Sequence, residues 1–197
     1  MTYDRQKYLE AIRAELETNI FYHSLALEAC MGGIFDYLKE QNKLGADDDR
    51  DEWALAGLIH DIDYSEENKA DHPHKTREVL AKYKLEISDK VDRIVKAHGP
   101  ELTKIYPESK AEWAIFCADS LTGLITAVAL VYPSKKLDEV KLKSVTKRFH
   151  KEPRFAAGTR RDEVSMCEKA DGLNIPVDKF IEICLDSMKQ IASNIEL

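Results

Sequence analysis

Between Trp113 and Tyr132 the chain runs for 20 residues with one charged member, Asp119. A stretch this long and apolar belongs either in a bilayer or in the middle of a protein core. In a bilayer, Asp119 would sit near the centre at a cost of roughly 2.5 to 3.5 kcal/mol, and no other segment comes close to spanning. The stretch is therefore expected to be a central buried helix, with no membrane partner. A helix buried on all sides must be wrapped by others. The rest of the sequence agrees, because no stretch alternates apolar and polar residues as a half-buried strand does. Asp49 precedes Glu52 by three residues and Ser109 precedes Glu112 by three, the spacing of a reciprocal helix cap. Gly99-Pro100 and Pro133 are stop signals, while Pro73 and Pro176 suit the first turn of a helix. The expectation is an all-α bundle of roughly seven or eight helices.

At 197 residues the chain can bury one substantial core, and no repeat, low-complexity tract or Pro/Gly/Ser linker divides it. A single domain over residues 1–197 follows as the expectation. Cys30, Cys117, Cys167 and Cys184 show no CxxC pairing and fall inside apolar helical patterns, which argues against a disulfide framework and for a reducing compartment. The amino terminus lacks the basic start and apolar run of an export signal. The expected location is the cytoplasm.

Helical spacing shows which ionisable side chains face inward, because positions three, four and seven apart share a face. His23 opens a stripe continued by Leu27, Cys30 and Ile34, and His60 closes one of Trp53, Ala56 and Gly57. Asp61 is rotated by about 100° from His60 in a continuous helix, so the two reach one point most easily at a helix end. His98 ends the stripe Val91, Ile94, Val95, and Gly99 follows it at once. His72 shares a face with Thr76, Val79, Leu80 and Tyr83, whereas His74 shares one with Glu78 and Lys82. Of the two, His72 is the better ligand candidate. Asp119 has Ile115, Phe116, Gly123 and Thr126 around it at helical spacing, and a carboxylate there needs a partner. A lone inward histidine is more often a hydrogen-bonded core residue than a ligand. Here five helices each deliver a His or Asp from an apolar face, and one shared cation would satisfy them all. His150 and the remaining acidic residues are read as solvated surface.

These residues carry a resemblance to a known family. The segment Gly57-Leu58-Ile59-His60-Asp61-Ile62-Asp63-Tyr64, with His23 upstream and Cys117-Ala118-Asp119-Ser120-Leu121-Thr122-Gly123-Leu124 downstream, resembles the HD superfamily. The resemblance covers about residues 20–130, leaving a helical extension over about 134–197. It implies an all-helical, metal-dependent hydrolase whose metal is held by His23, His60, Asp61 and Asp119. The stretch from Pro133 to Gly158 looks like a subgroup of HD hydrolases of unnamed substrate. Two positions depart from better-understood members. Asp63 replaces the common Gly two residues after the doublet's Asp, and Tyr64 stands where some nucleotidases have Glu, so no nucleotidase assignment is carried over.

Imidazole nitrogens with carboxylate oxygens suit Mn, Fe, Co, Ni or Zn, and Mg less comfortably. If His72 and His98 are also ligands, they could hold a second ion with Asp61 bridging, so one or two ions are expected. A water acidified by the cation would then attack phosphorus. Asp61 is a candidate catalytic residue, Asp63 a candidate general base and His98, if not a ligand, a candidate general acid. Residues 135–161 hold ten Lys or Arg and three acidic residues, a local +7 in a chain of net −7, so the remainder sums to −14. Folded back, this segment could clamp a substrate phosphate through Lys135, Lys136, Lys143, Arg148, Arg154, Arg160 and Arg161; as a solvated face it would not. The acidic remainder would repel polymeric nucleic acid, which favours a small phosphorylated metabolite or nucleotide. A di-iron HD-type oxygenase and a non-catalytic nucleotide-binding sensor are the alternatives. The oligomeric state is left open.

Overall fold

A computed structural model describes residues 3–65 and 68–197. Among these residues ten α-helices follow in order: α1 Arg5–Glu15, α2 Thr18–Glu40, α3 Arg50–Ile59, α4 Thr76–Lys82, α5 Asp89–Ala97, α6 Pro100–Thr103, α7 Lys110–Leu130, α8 Leu142–Lys151, α9 Arg161–Ser165 and α10 Val177–Gln190. No strand occurs among the described residues. The count exceeds seven or eight because α6 and α9 are about one turn each, too short to show periodicity in sequence.

α7 is the central element. It is the described helix long and apolar enough to cross a membrane, and 72% of its apolar window is buried by the rest of the fold. Its start is a complete capping box, with the Ser109 hydroxyl accepting from the Glu112 amide and the Glu112 carboxylate accepting from the Ser109 amide. The Asp49 cap of α3 forms by half only. Asp49 accepts from the Glu52 amide, but the Glu52 carboxylate turns to Ser88 and Lys90. Pro100 opens α6 rather than merely stopping α5, Pro176 is the cap of α10, and Pro73 lies in a turn ahead of α4.

α2 packs along α3, and both lean on α7, as does α5. The α2–α3 approach depends on Gly57. A Cβ there would lie 2.9 Å from the Leu27 carbonyl oxygen and 3.0 Å from the backbone of Glu28, closer than real side chains tolerate. Glycine thus lets two backbones touch where α3 ends. One apolar core gathers residues from Tyr8 to Ile195, including the predicted stripe below His23 of Leu27, Cys30 and Ile34. All four cysteines are free and buried in it.

Candidate metal centre

The four helices α2, α3, α5 and α7 frame one point, and each contributes there in its own way. His23 projects from the second turn of α2 and Asp119 from the middle of α7. His60 is the C-cap of α3, and Asp61 follows in a run of tight turns in which the Ile62 amide bonds the Ile59 carbonyl and the Tyr64 amide bonds the Asp61 carbonyl. The helix end thus relaxes the rotation that would otherwise part these neighbours. His98 is the C-cap of α5. His72 stands in extended backbone between a short 3₁₀ turn and α4. The helical phase invoked for it in sequence therefore does not apply, although His72 reaches the site and His74 is exposed. The apolar stripe expected around Asp119 is also incomplete, because Gly123 is exposed.

Two groups of donor atoms share Asp61. On one side, Asp61 Oδ2 lies 3.1 Å from His60 Nε2 and 3.6 Å from His23 Nε2, and the two imidazole nitrogens are 3.1 Å apart. Asp119 Oδ1 joins this group at 3.0 Å from His23 Nε2 and 3.9 Å from His60 Nε2. On the other side, Asp61 Oδ1 lies 3.4 Å from His72 Nε2 and 4.0 Å from His98 Nε2, which are 3.1 Å from one another. Donors bound at about 2.1 Å to one ion stand about 3.0 Å apart at right angles and about 3.4 Å apart in a tetrahedron. The pairs from 3.0 to 3.6 Å lie near that geometry, and the pairs at 3.9 and 4.0 Å are wider.

The outward ring nitrogens fix which atom faces the centre. His60 Nδ1 donates to the Gly57 carbonyl and His98 Nδ1 to the Val95 carbonyl, since a carbonyl can only accept. His72 Nδ1 donates to Asp63 Oδ1 at 2.7 Å. The Thr122 hydroxyl donates to the Asp119 carbonyl and so accepts from His23 Nδ1. Every Nε2 thereby faces the others beside two carboxylates, with a lone pair whenever its imidazole is neutral. Such a cluster is repulsive unless positive charge sits within it. The titration shifts express the same demand. Burial works against a charged His23, yet its hydrogen bond to Asp119 and the negative charge of Asp119 and Asp61 raise its pKa overall. Burial opposes the charged carboxylates too, but His23, His60 and His98 hold Asp119 well below the usual range, and His60 with His23 and His98 lowers Asp61. Burial, with His60 beside it, pushes His98 down to about 4. His98 is then a neutral lone-pair donor at neutral pH.

These contacts revise two roles. Asp63 is fully buried with both oxygens engaged, by His72 Nδ1 and by the Lys75 amide at 2.8 Å. It orients His72 and has no free oxygen to act as a general base. His98, turned toward His72 and Asp61, could hold a metal ion with them, and the burial that keeps it neutral disfavours a general-acid role.

A cavity of about 460 Å³ opens over the centre, lined by His23, Asp61, His72, His98 and Asp119 together with Ile20, Tyr64, Gly99, Pro100, Glu101, Leu102, Arg160 and Glu163. From the basic segment, Arg160 alone reaches it among the described residues. Its guanidinium donates to Asp119 Oδ2 at 2.7 Å and to Glu163. Lys135, Lys136, Lys143 and Arg154 are exposed away from this lining, Arg148 stacks on Phe155, and Arg161 binds backbone carbonyls of Phe149 and Phe155. The expected clamp of seven cations thus reduces to one, because most of the charge is spent on solvent or on holding the loop. His150 is exposed and pairs with Asp178. Sequence reading missed Thr122, Glu101 and Glu163. Only Thr122 left a trace there, one turn from Asp119.

Among curated proteins and solved structures no match was found. The family model of the HD domain matches residues 20–124, which hold His23, His60, Asp61, His72, His98 and Asp119 and stop short of Arg160 and Glu163. With more than half its length matched and this His/Asp centre in place, the chain belongs to the HD domain family, whose members are generally metal-dependent phosphohydrolases.

Proposed function

We propose that the protein hydrolyses a phosphoester bond in a small phosphorylated metabolite or nucleotide. The observation that carries this reading is the convergence of four Nε2 atoms and two carboxylates at the floor of a cavity walled by one arginine. His23, His60, Asp61 and Asp119 would hold a first divalent ion and His72, His98 and Asp61 a second. Cations held there would supply an acidified water and charge neutralisation at the phosphoryl oxygens. The chain's own contribution is positional. Gly57, Val95, Asp63 and Thr122 lock the imidazole tautomers, Asp61 spans both groups with its two oxygens, and Arg160 presents a guanidinium to an incoming phosphoryl group. Ile20, Pro100 and Leu102 narrow the apolar part of the mouth.

The test combines elemental analysis with turnover of a panel of phosphomonoesters and phosphodiesters. The wild type should carry stoichiometric Mn, Fe, Co, Ni or Zn and hydrolyse at least one ester, and Asp61→Ala should lose both metal and activity. Metal-replete protein inert toward the whole panel would defeat the proposal. The bridging position of Asp61 also favours a second reading, a di-iron oxygenase. Two irons per chain with oxygen uptake on a polyhydroxylated substrate would select it.

A further inference from the structure

The cavity wall beyond the metal ligands carries three charges, and they are not alike. Arg160 is already engaged by Asp119 and Glu163, so the guanidinium and the Glu163 carboxylate offset each other. Glu101, on α6, is the third. No ion pair holds its carboxylate among the described residues, and the neighbouring Lys104 binds its backbone carbonyl instead. Beside it the lining is Pro100, Leu102 and Ile20, with the Tyr64 ring set edge-on to His72.

Resting on the phosphohydrolase reading, we infer that Glu101 determines specificity. The site takes a substrate with a single phosphoryl group whose organic part bears hydroxyl or amino donors, and it rejects one carrying a second anionic group. The phosphoryl group belongs at the centre, beside Arg160 and the residues that would hold the cations. Whatever is attached to it occupies the rest of a cavity of about 460 Å³ that Glu101 helps to line. A carboxylate can accept hydrogen bonds from hydroxyl or ammonium groups there. A second carboxylate or phosphate on the substrate would instead meet the like charge of Glu101, whose carboxylate no ion pair holds among the described residues.

The probes are inorganic phosphate, glycerol phosphate, 2-aminoethyl phosphate and phosphoglycerate. Their dissociation constants for the manganese-loaded protein are measured by calorimetry, with kcat/KM for the three esters alongside. Wild type should bind glycerol phosphate and aminoethyl phosphate more tightly than phosphoglycerate by roughly fivefold or more, the factor one unit charge at about 4 Å gives in water. Glu101→Gln should shrink that ratio and Glu101→Lys should reverse it, while inorganic phosphate binding changes less than twofold. Because Glu101 is exposed on a one-turn helix, both variants are expected to fold. A wild-type ratio near one, or a ratio that neither variant moves, overturns the inference, as does failure of all four probes to bind. If the binding ratios behave as stated but no ester is turned over, the selectivity stands and the phosphohydrolase reading falls.

Discussion

Asp63 owes its importance to what it holds. Its two oxygens receive His72 Nδ1–H and the Lys75 amide, so it fixes the imidazole that faces Asp61 Oδ1. Such outer partners typically contribute 10- to 100-fold in metal affinity. Asp63→Asn, of nearly equal size, should weaken metal retention by a factor in that range, measured by competition with a chelator, while the folded far-ultraviolet spectrum persists. An Asp63→Asn variant with wild-type affinity would show that His72 is not a ligand. His23 and His98 make opposite predictions about pH. His98 is held down to about 4 by burial, so it offers its lone pair without proton competition from pH 5 upward. His23 has a raised pKa through Asp119, so protons compete with a cation for it more strongly than for an ordinary imidazole. Apparent metal affinity should therefore rise with pH through the region above about 6.5, the ordinary imidazole value, and then level off. Calorimetry in buffers of different ionisation enthalpy should detect the released proton at neutral pH.

At the scale of elements, the contact between α2 and α3 sets the geometry of the first metal group. Gly57→Ala would place a methyl against the Leu27 carbonyl and the Glu28 backbone, forcing α3 away just where it delivers His60 and Asp61. The expected cost is about 1–3 kcal/mol from overpacking. Metal content should fall with it. Gly123→Ala is the matched control, because its Cβ would meet nothing within 4 Å on α7. Replacing a helix-interior glycine there should raise stability by about 0.5–1 kcal/mol. Urea midpoints of the two variants should move in opposite directions.

For the whole molecule, the donors come from five chain segments spread from His23 to Asp119, and only the folded chain gathers them. A metal bound there would thus be linked to folding. At a free metal concentration a hundredfold above Kd, the folded state should gain about 2.7 kcal/mol, seen as a rise in Tm that a chelator reverses. A Tm indifferent to both would argue against a bound cation. The sequence by itself determined the helical class, the burial of α7 and the inward direction of His23, His60 and His98, because periodicity and the apolar neighbours of each residue are local properties. It also placed the His60-Asp61 pair at a helix end, since adjacent residues can converge only where the helix relaxes. Its reasons failed where the backbone is not helical. His72 reaches the site from an extended segment, and α6 and α9 are too short to leave a periodic trace. What only the tertiary structure decided is the division of labour among charged residues. Asp63 and Asp61 lie two positions apart in one turn, and Arg160 and Arg161 are adjacent. Which of each pair meets the centre and which braces it depends on partners distant in sequence, namely His72, Asp119 and the carbonyls of the 149–156 stretch.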